Sequence, residues 1–182
     1  MTNEQYPFGV DIGSHCVLNK NRPDLEMDFD ILAAWDLKPV FCQIRAHRGT
    51  WVDPSYTIMR AESERVGLIV GTWHVLSPYE PTAPQVTRWL FDVPDPGPLG
   101  RWIDWERVGR WENGKRVEHR MPSPYQLRRA AELIEDYDIA PVGVYSRAQL
   151  INDFLGSIST QQLNGWYWWL GQYLFAQHIR GE

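Results

Sequence analysis

Three acids stand where a carboxylate is costly to keep. Asp104 and Glu106 flank Trp105 in Trp102-Ile103-Asp104-Trp105-Glu106, and Asp11 interrupts the apolar run Gly9-Val10-Asp11-Ile12-Gly13. Residues i and i+2 of a strand point to the same side, so a strand here sends Asp104 and Glu106 into one pocket. Two carboxylates that close do not both ionise freely, and one keeps its proton to higher pH. A proton donor beside a charged partner is what glycosidic cleavage needs. Taken alone, the D-x-E spacing is common and reads more simply as two solvated acids beside a loop. A lone acid inside a short apolar strand is either paired, a turn cap or functional. Together, three acids at strand ends favour a site.

Other chemistry is less well supported. His74, in Gly71-Thr72-Trp73-His74-Val75, reads first as a hydrogen-bonded core histidine. A metal site would have to combine His15, His74, Asp11 and Glu106, with no HExxH or other tight ligand spacing, so neither a metal nor a cofactor is expected. A serine triad lacks its G-x-S-x-G elbow. Cys16 and Cys42 are the only cysteines. Two thiols make neither a disulfide framework nor a four-cysteine zinc site, and the default for each is a small buried hydrophobe.

The elements that would position these residues alternate along the chain. Six apolar, strand-like runs are Phe8–Gly13, Pro39–Ala46, Gly67–Leu76, Gly100–Glu106, Pro141–Ser146 and Gly165–Tyr173. Most are nearly continuous in apolar residues, which suits strands buried on both faces of a parallel sheet. Helices are predicted between them: Met27–Leu37, then one opened by Asp53 as N-cap with Pro54 in its first turn and closed at Gly67, then Pro84–Phe91. Ser123-Pro124-Tyr125-Gln126 is a capping box, and Ser146 with Gln149 suggests another, opening a helix to Gly156. Arg107–Met121 reads as a long irregular loop. Such βα alternation predicts a parallel sheet with right-handed crossovers, open or closed as a barrel. No glycine-rich phosphate loop follows the first strand, which disfavours a nucleotide site.

Composition narrows the class. At 182 residues and 21.3 kDa the chain is expected to be one domain, residues 1–182. It carries 18 basic and 23 acidic residues, a formal charge of −5, with no block of like charge. Nucleic-acid binding is therefore not expected. No apolar run approaches a membrane span. Met1–Val10 has neither a basic nor an apolar signal region, so a cytoplasmic protein without its own leader is expected. Ten Trp, eight Tyr and six Phe make 13 % of the chain, more than a core alone calls for. Indole faces are suited to stacking on the C–H faces of sugars.

Taken in order, these stretches resemble glycoside hydrolase family 25, the Chalaropsis-type lysozymes that include many phage endolysins. Phe8-Gly9-Val10-Asp11-Ile12-Gly13-Ser14-His15 is similar to the family's opening strand. Gln43–Asp53 (QIRAHRGTWVD) resembles its "IKATEG…D" segment, Gly67–Val75 its "GLxxGxYHF", Ile103–Glu106 its D-x-E pair, and Pro141–Ser146 and Trp169–Tyr173 its "IYT" and "WxAxY" strands. The resemblance implies a TIM-like (β/α) barrel, irregular and C-terminally shortened. It implies hydrolysis of the β-1,4 bond between N-acetylmuramic acid and N-acetylglucosamine in peptidoglycan by an endolysin or virion-associated lysin. Glu106 is then the general acid, with a raised pKa. Asp104 stabilises positive charge or orients the acetamido group, and Asp11 completes the acidic pocket. Arg45, Trp73, His74 and Tyr145 line the sugar sites.

The chain departs from the pattern at Arg45-Ala46-His47-Arg48-Gly49, where "KATEG" has an acid in place of Arg48, and it ends soon after the sixth strand. The resemblance therefore also implies that the barrel stays open or is completed by a partner chain or a second copy. The alternative function is a catalytically impaired barrel that binds glycan or serves as a structural module of a larger assembly.

Overall fold

In the computed structural model, which describes residues 8–17, 27–36, 38–138, 141–147 and 165–171, each of the six apolar runs becomes a parallel strand. In chain order the elements are β1 (Gly9–Ile12), α1 (Ser14–Val17), α2 (Phe29–Ala33), β2 (Phe41–Arg48), β3 (Trp51–Val52), α3 (Tyr56–Arg65), β4 (Ile69–Val75), α4 (Thr82–Asp92), β5 (Arg101–Asp104), β6 (Val108–Glu112), β7 (Lys115–Arg120), α5 (Pro124–Glu135), β8 (Gly143–Arg147) and β9 (Tyr167–Gly171). The sheet order is β1-β2-β4-β5-β8-β9, every neighbouring pair on that path parallel. The short β3 folds back antiparallel on β2.

Among the described residues this ladder does not close, so the shortened (β/α) barrel expected takes the form of an open, curled half-barrel sheet. The curl is real. Asp11 of β1 and Trp169 of β9, at opposite ends of the strand order, line the same pocket.

Alternate residues of each strand face opposite ways. Ala46, Ile103, Trp105 and Val144 look outward and pack on Val86, Trp89, Leu90, Leu127, Ala130 and Ile134 of α4 and α5. A second core joins Ile12, Cys42, Ile44 and Val70 to Phe29, Leu32 and Met59 of α2 and α3. Cys42 behaves as the small buried hydrophobe expected, its thiol pushed up to about 11 chiefly by burial. The other face turns inward, and there the strands carry the acids and several of the tryptophans.

Helix boundaries follow local chemistry. Ser123 makes the expected capping box, its hydroxyl accepting from Gln126 N–H while the Gln126 side chain accepts from Ser123 N–H. The helix expected from Asp53 starts later, at Tyr56 with Ser55 as N-cap. The Asp53 carboxylate does accept from Ser55 N–H, but its other oxygen is engaged by Arg45. The Ser146 capping box is overturned. Ser146 lies inside β8, buried, and its hydroxyl donates to the Trp105 carbonyl at 2.7 Å. The helix proposed to follow, to Gly156, lies outside the described residues.

Arg107–Met121 is not irregular. It is the β6–β7 hairpin, turning at Asn113-Gly114, both at positive φ (49° and 75°). Asn-Gly is the pair a two-residue type I′ turn selects.

Candidate active site

Strand register stacks the inward side chains in rows. One row runs Arg45–Trp73–Trp102–Gly143 across β2, β4, β5 and β8. The next, toward the C-terminal ends, runs Asp104–Tyr145–Trp169 across β5, β8 and β9. Asp11 pairs with Gln43 and Gln43 with Gly71. Glycines leave the rows open where large rings need the space. A Cβ on Gly143 would lie 2.2 Å from the Trp102 ring.

Together these rows enclose a narrow pocket lined by Asp11, Gln43, Trp73, Trp102, Asp104, Tyr145 and Trp169. Trp169 meets Trp102 and Tyr145 edge-on, at ring-centroid distances of 6.0 and 5.6 Å. Such edge-to-face packing is favourable and fixes ring orientation.

Asp104 is the anomaly of the pocket. Its Oδ1 is buried and accepts no hydrogen bond among the described residues. Burial is the main cause that pushes its carboxyl up to about 8, with the Glu106 and Asp11 charges adding and Arg45 and Arg147 opposing. At neutral pH Asp104 therefore holds a proton.

Glu106 departs from its expected place. Strand β5 ends at Asp104, so the period-two rule stops applying before Glu106 is reached. Glu106 sits on the bend that follows, beside the pocket rather than in its lining. Its Oε1 accepts from Arg147 Nε at 2.6 Å. The raised pKa in the pocket is that of Asp104.

Of the proposed sugar-lining residues, Trp73 and Tyr145 are in the pocket. Arg45 stands at its edge, held by Asp53 (2.8 Å) and donating to Ser14 Oγ (2.6 Å), with its guanidinium 5.7 Å from the Trp73 ring centre. Asp53 is buried. Desolvation alone would raise its pKa, but Ser14 N–H, Ser55 N–H and Arg45 outweigh that and hold it below the ordinary carboxylate value.

His74 is not in the site. One residue after Trp73, it faces outward. It is fully buried, stacked on Trp89 at 5.2 Å, with Nε2 donating to Gln85 Oε1 at 3.1 Å. Burial drives its pKa down to about 3, so it stays neutral.

Sequence reasoning passed over Gln43, Trp102 and Trp169 in the pocket, and Asp53 and Arg147 around it. Trp102 and Gln43 each stand two residues before a residue already singled out, so the same period-two rule points to them. No group of three or more His, Cys, Asp or Glu among the described residues is arranged to hold a metal. No described helix is long and apolar enough to cross a membrane.

Solved structures with this architecture agree on a family. The fold is that of the family 25 glycosyl hydrolases. A family 25 glycosyl hydrolase from Bacillus anthracis superposes with a TM-score of 0.66 at 17% identity, over 94% of this chain and 73% of that one. The bacterial lysozyme from Streptomyces coelicolor gives 0.67 at 15%, over 92% and 75%. The catalytic domain of an endolysin from a Listeria monocytogenes bacteriophage gives 0.59 at 15%, over 84% and 69%. Neither a protein-family model nor a curated protein matches the sequence. The earlier resemblance thus holds at the level of fold, where short motifs in the right order correspond to strands in the right order.

Proposed function

We propose that this chain is a peptidoglycan hydrolase that cleaves the β-1,4 bond between N-acetylmuramic acid and N-acetylglucosamine, as a phage endolysin or virion-associated lysin. One observation carries the reading. A carboxyl whose pKa is lifted to about 8 sits in an aromatic-walled pocket near the C-terminal ends of parallel strands, within reach of the charges of Glu106 and Asp11. In barrels of alternating strands and helices, that end of the sheet is where sites are built. The muramidases and endolysins among the structural neighbours agree with this.

In the proposed chemistry the acids share work unequally. Asp104 holds a proton before substrate arrives, and Arg147 grips the Glu106 carboxyl. A sugar stacked on the tryptophans brings its glycosidic oxygen to the pair. Donation through Glu106 requires Arg147 to let go, and donation by Asp104 does not. Asp11 adds negative charge that favours an oxocarbenium-like transition state. Trp73, Trp102, Tyr145 and Trp169 supply the walls, and Arg45 their polar edge.

A second reading, a glycan-binding module without catalysis, draws on the Arg147–Glu106 pair, which occupies Glu106 Oε1. Reducing ends released from purified peptidoglycan separate the two. The hydrolase reading expects release by the native chain and its near-loss in both Glu106→Gln and Asp104→Asn, with glycan binding retained. No release with binding intact in all three selects the module. Equal release by all three removes these acids from the mechanism.

A further inference from the structure

A second cleft opens beside the acid pocket, and its lining is basic. About 470 Å3 in volume, it lies between the β2–β3 turn (Arg48, Trp51), the loop after β4 (Ser77, Tyr79, Glu80) and β6 (Val108, Gly109, Arg110). Arg45 joins the two spaces. Its guanidinium is 5.7 Å from the Trp73 ring centre in the pocket and 5.6 Å from the Trp51 ring centre in the cleft.

The walls are fixed by hydrogen bonds. Tyr79 Oη donates to the Val108 carbonyl and accepts from Arg120 N–H, each at 3.1 Å, tying the hairpin to the β4 loop. Glu80 Oε2 accepts from Thr50 N–H at 2.7 Å, so the one acid of the lining is already engaged. Arg45 is held by Asp53, and Arg110 by Glu112 at 2.8 Å. Arg48 differs. Its Nη2 donates to the Gly109 carbonyl at 2.7 Å, and no carboxylate among the described residues pairs with it.

We propose that this cleft is an anion subsite, in which Arg48 receives a carboxylate carried by the glycan as it runs out of the acid pocket. The inference rests on the glycan reading above and adds to it a preference for acidic, substituted strands over neutral ones. The Gly109 carbonyl takes one of the two Nη2 hydrogens, and the other still forms a parallel N–H pair with Nε or with Nη1, the fork that matches a carboxylate. Trp51 and Tyr79 give the flat sides. In peptidoglycan the carboxylate is the lactyl acid of the muramic sugar or an acid of its peptide stem. The chemistry is the same for both.

The test is calorimetric titration of the full chain with three soluble oligosaccharides of equal length: strands bearing peptide stems, strands stripped of stems but keeping the lactyl acid, and chitin oligomers with no carboxylate. The chitin oligomer is expected to bind about tenfold more weakly than a carboxylated strand, the scale of one charge-assisted hydrogen bond in a half-open cleft. Added salt should erode that difference. Arg48→Gln should abolish it, and Arg48→Lys should restore part of it. Affinity that survives stem removal assigns the lactyl acid, and affinity lost with the stem assigns the stem. Equal binding of all three by the native chain overturns the subsite while leaving the pocket reading standing, and needs no variant to fold. A preference that persists in Arg48→Gln overturns the role of Arg48. Failure to bind any of the three overturns both the subsite and the glycan reading.

Discussion

One sheet presents two faces made from alternate residues of the same strands, and the two treat ionisable groups in opposite ways. On the helix-covered face the bases are paired with a carboxylate or held neutral, although both ring nitrogens of His47, Nδ1 of His74 and Nη1 of Arg101 have no hydrogen bond among the described residues. Arg101 is buried, yet it pairs with Asp138 at 2.5 Å and lies over the Trp89 and Tyr137 rings. His47 and His74 are both held below their ordinary pKa, chiefly by burial, and stay neutral. On the pocket face Asp104 Oδ1 is buried with no hydrogen bond among the described residues, and Asp11 and Glu106 make its ionisation still harder. A buried polar group left unpaired costs about 1–3 kcal/mol. The helix face is arranged for stability. The pocket face keeps an unsatisfied acid that stability alone would remove, and such conflicts mark functional sites.

Substitutions on the two faces should therefore fail differently. The largest effect expected is on activity. Asp104→Asn keeps the shape, removes the proton, and should cut reducing-end release by about 10²–10⁴-fold, the usual worth of a general acid or base. Its unfolding free energy should be unchanged or higher. A destabilised but active Asp104→Asn would erase the contrast between the faces. Next comes Trp89→Ala on the helix face, expected to cost about 3–5 kcal/mol in denaturant unfolding. Residual glycan affinity in the folded fraction should be native.

Stability against pH tests both faces at once. His74 titrates near 6.5 unfolded and about 3 folded, so the unfolded chain binds the extra proton in between. That contribution is present above pH 6.5 and is lost as pH falls toward 3. Asp104 titrates at 3.8 unfolded and about 8 folded, so here the folded chain holds the extra proton. That contribution is present below pH 3.8 and is lost as pH rises toward 8. The two slopes oppose each other and cancel between about pH 4 and 6.5, so the melting temperature should be level there and fall from pH 6.5 to 8. Asp104→Asn should remove the alkaline fall and leave a rise up to pH 6.5, and His74→Asn should let the fall begin near pH 4. The smallest effect is Ser123→Ala, which removes one half of the α5 capping box. It should cost about 1 kcal/mol and leave activity alone.

Much of this was legible in the sequence because strand periodicity is a local rule. All six parallel strands and the acid at the end of β5 follow from apolar runs bounded by turn residues. The rule fails where the strand stops, as Glu106 demonstrates. It also fails where a side chain serves a neighbour. Ser146 looks like a helix cap, but its hydroxyl is taken by the Trp105 carbonyl, one residue past the adjacent strand β5. The hairpin was legible and missed, since Asn113-Gly114 between alternating residues is a turn signal. The ion pairing of Glu106 was not legible, because Arg147 lies forty-one residues away in sequence and only the β5–β8 register brings it near.

The pocket's reliance on both ends of the strand order also sets when it can exist. Asp11 and Trp169 come from the first and last of the described strands, and parallel pairing is slow because distant segments must meet before contacts repay the loop closure. During synthesis the central strands and α4 can dock while the aromatic wall from β9 is still unmade. A nascent chain then carries Asp11 and Asp104 early and Trp169 late. The pocket is complete only once Trp169 has joined the sheet that Asp11 begins.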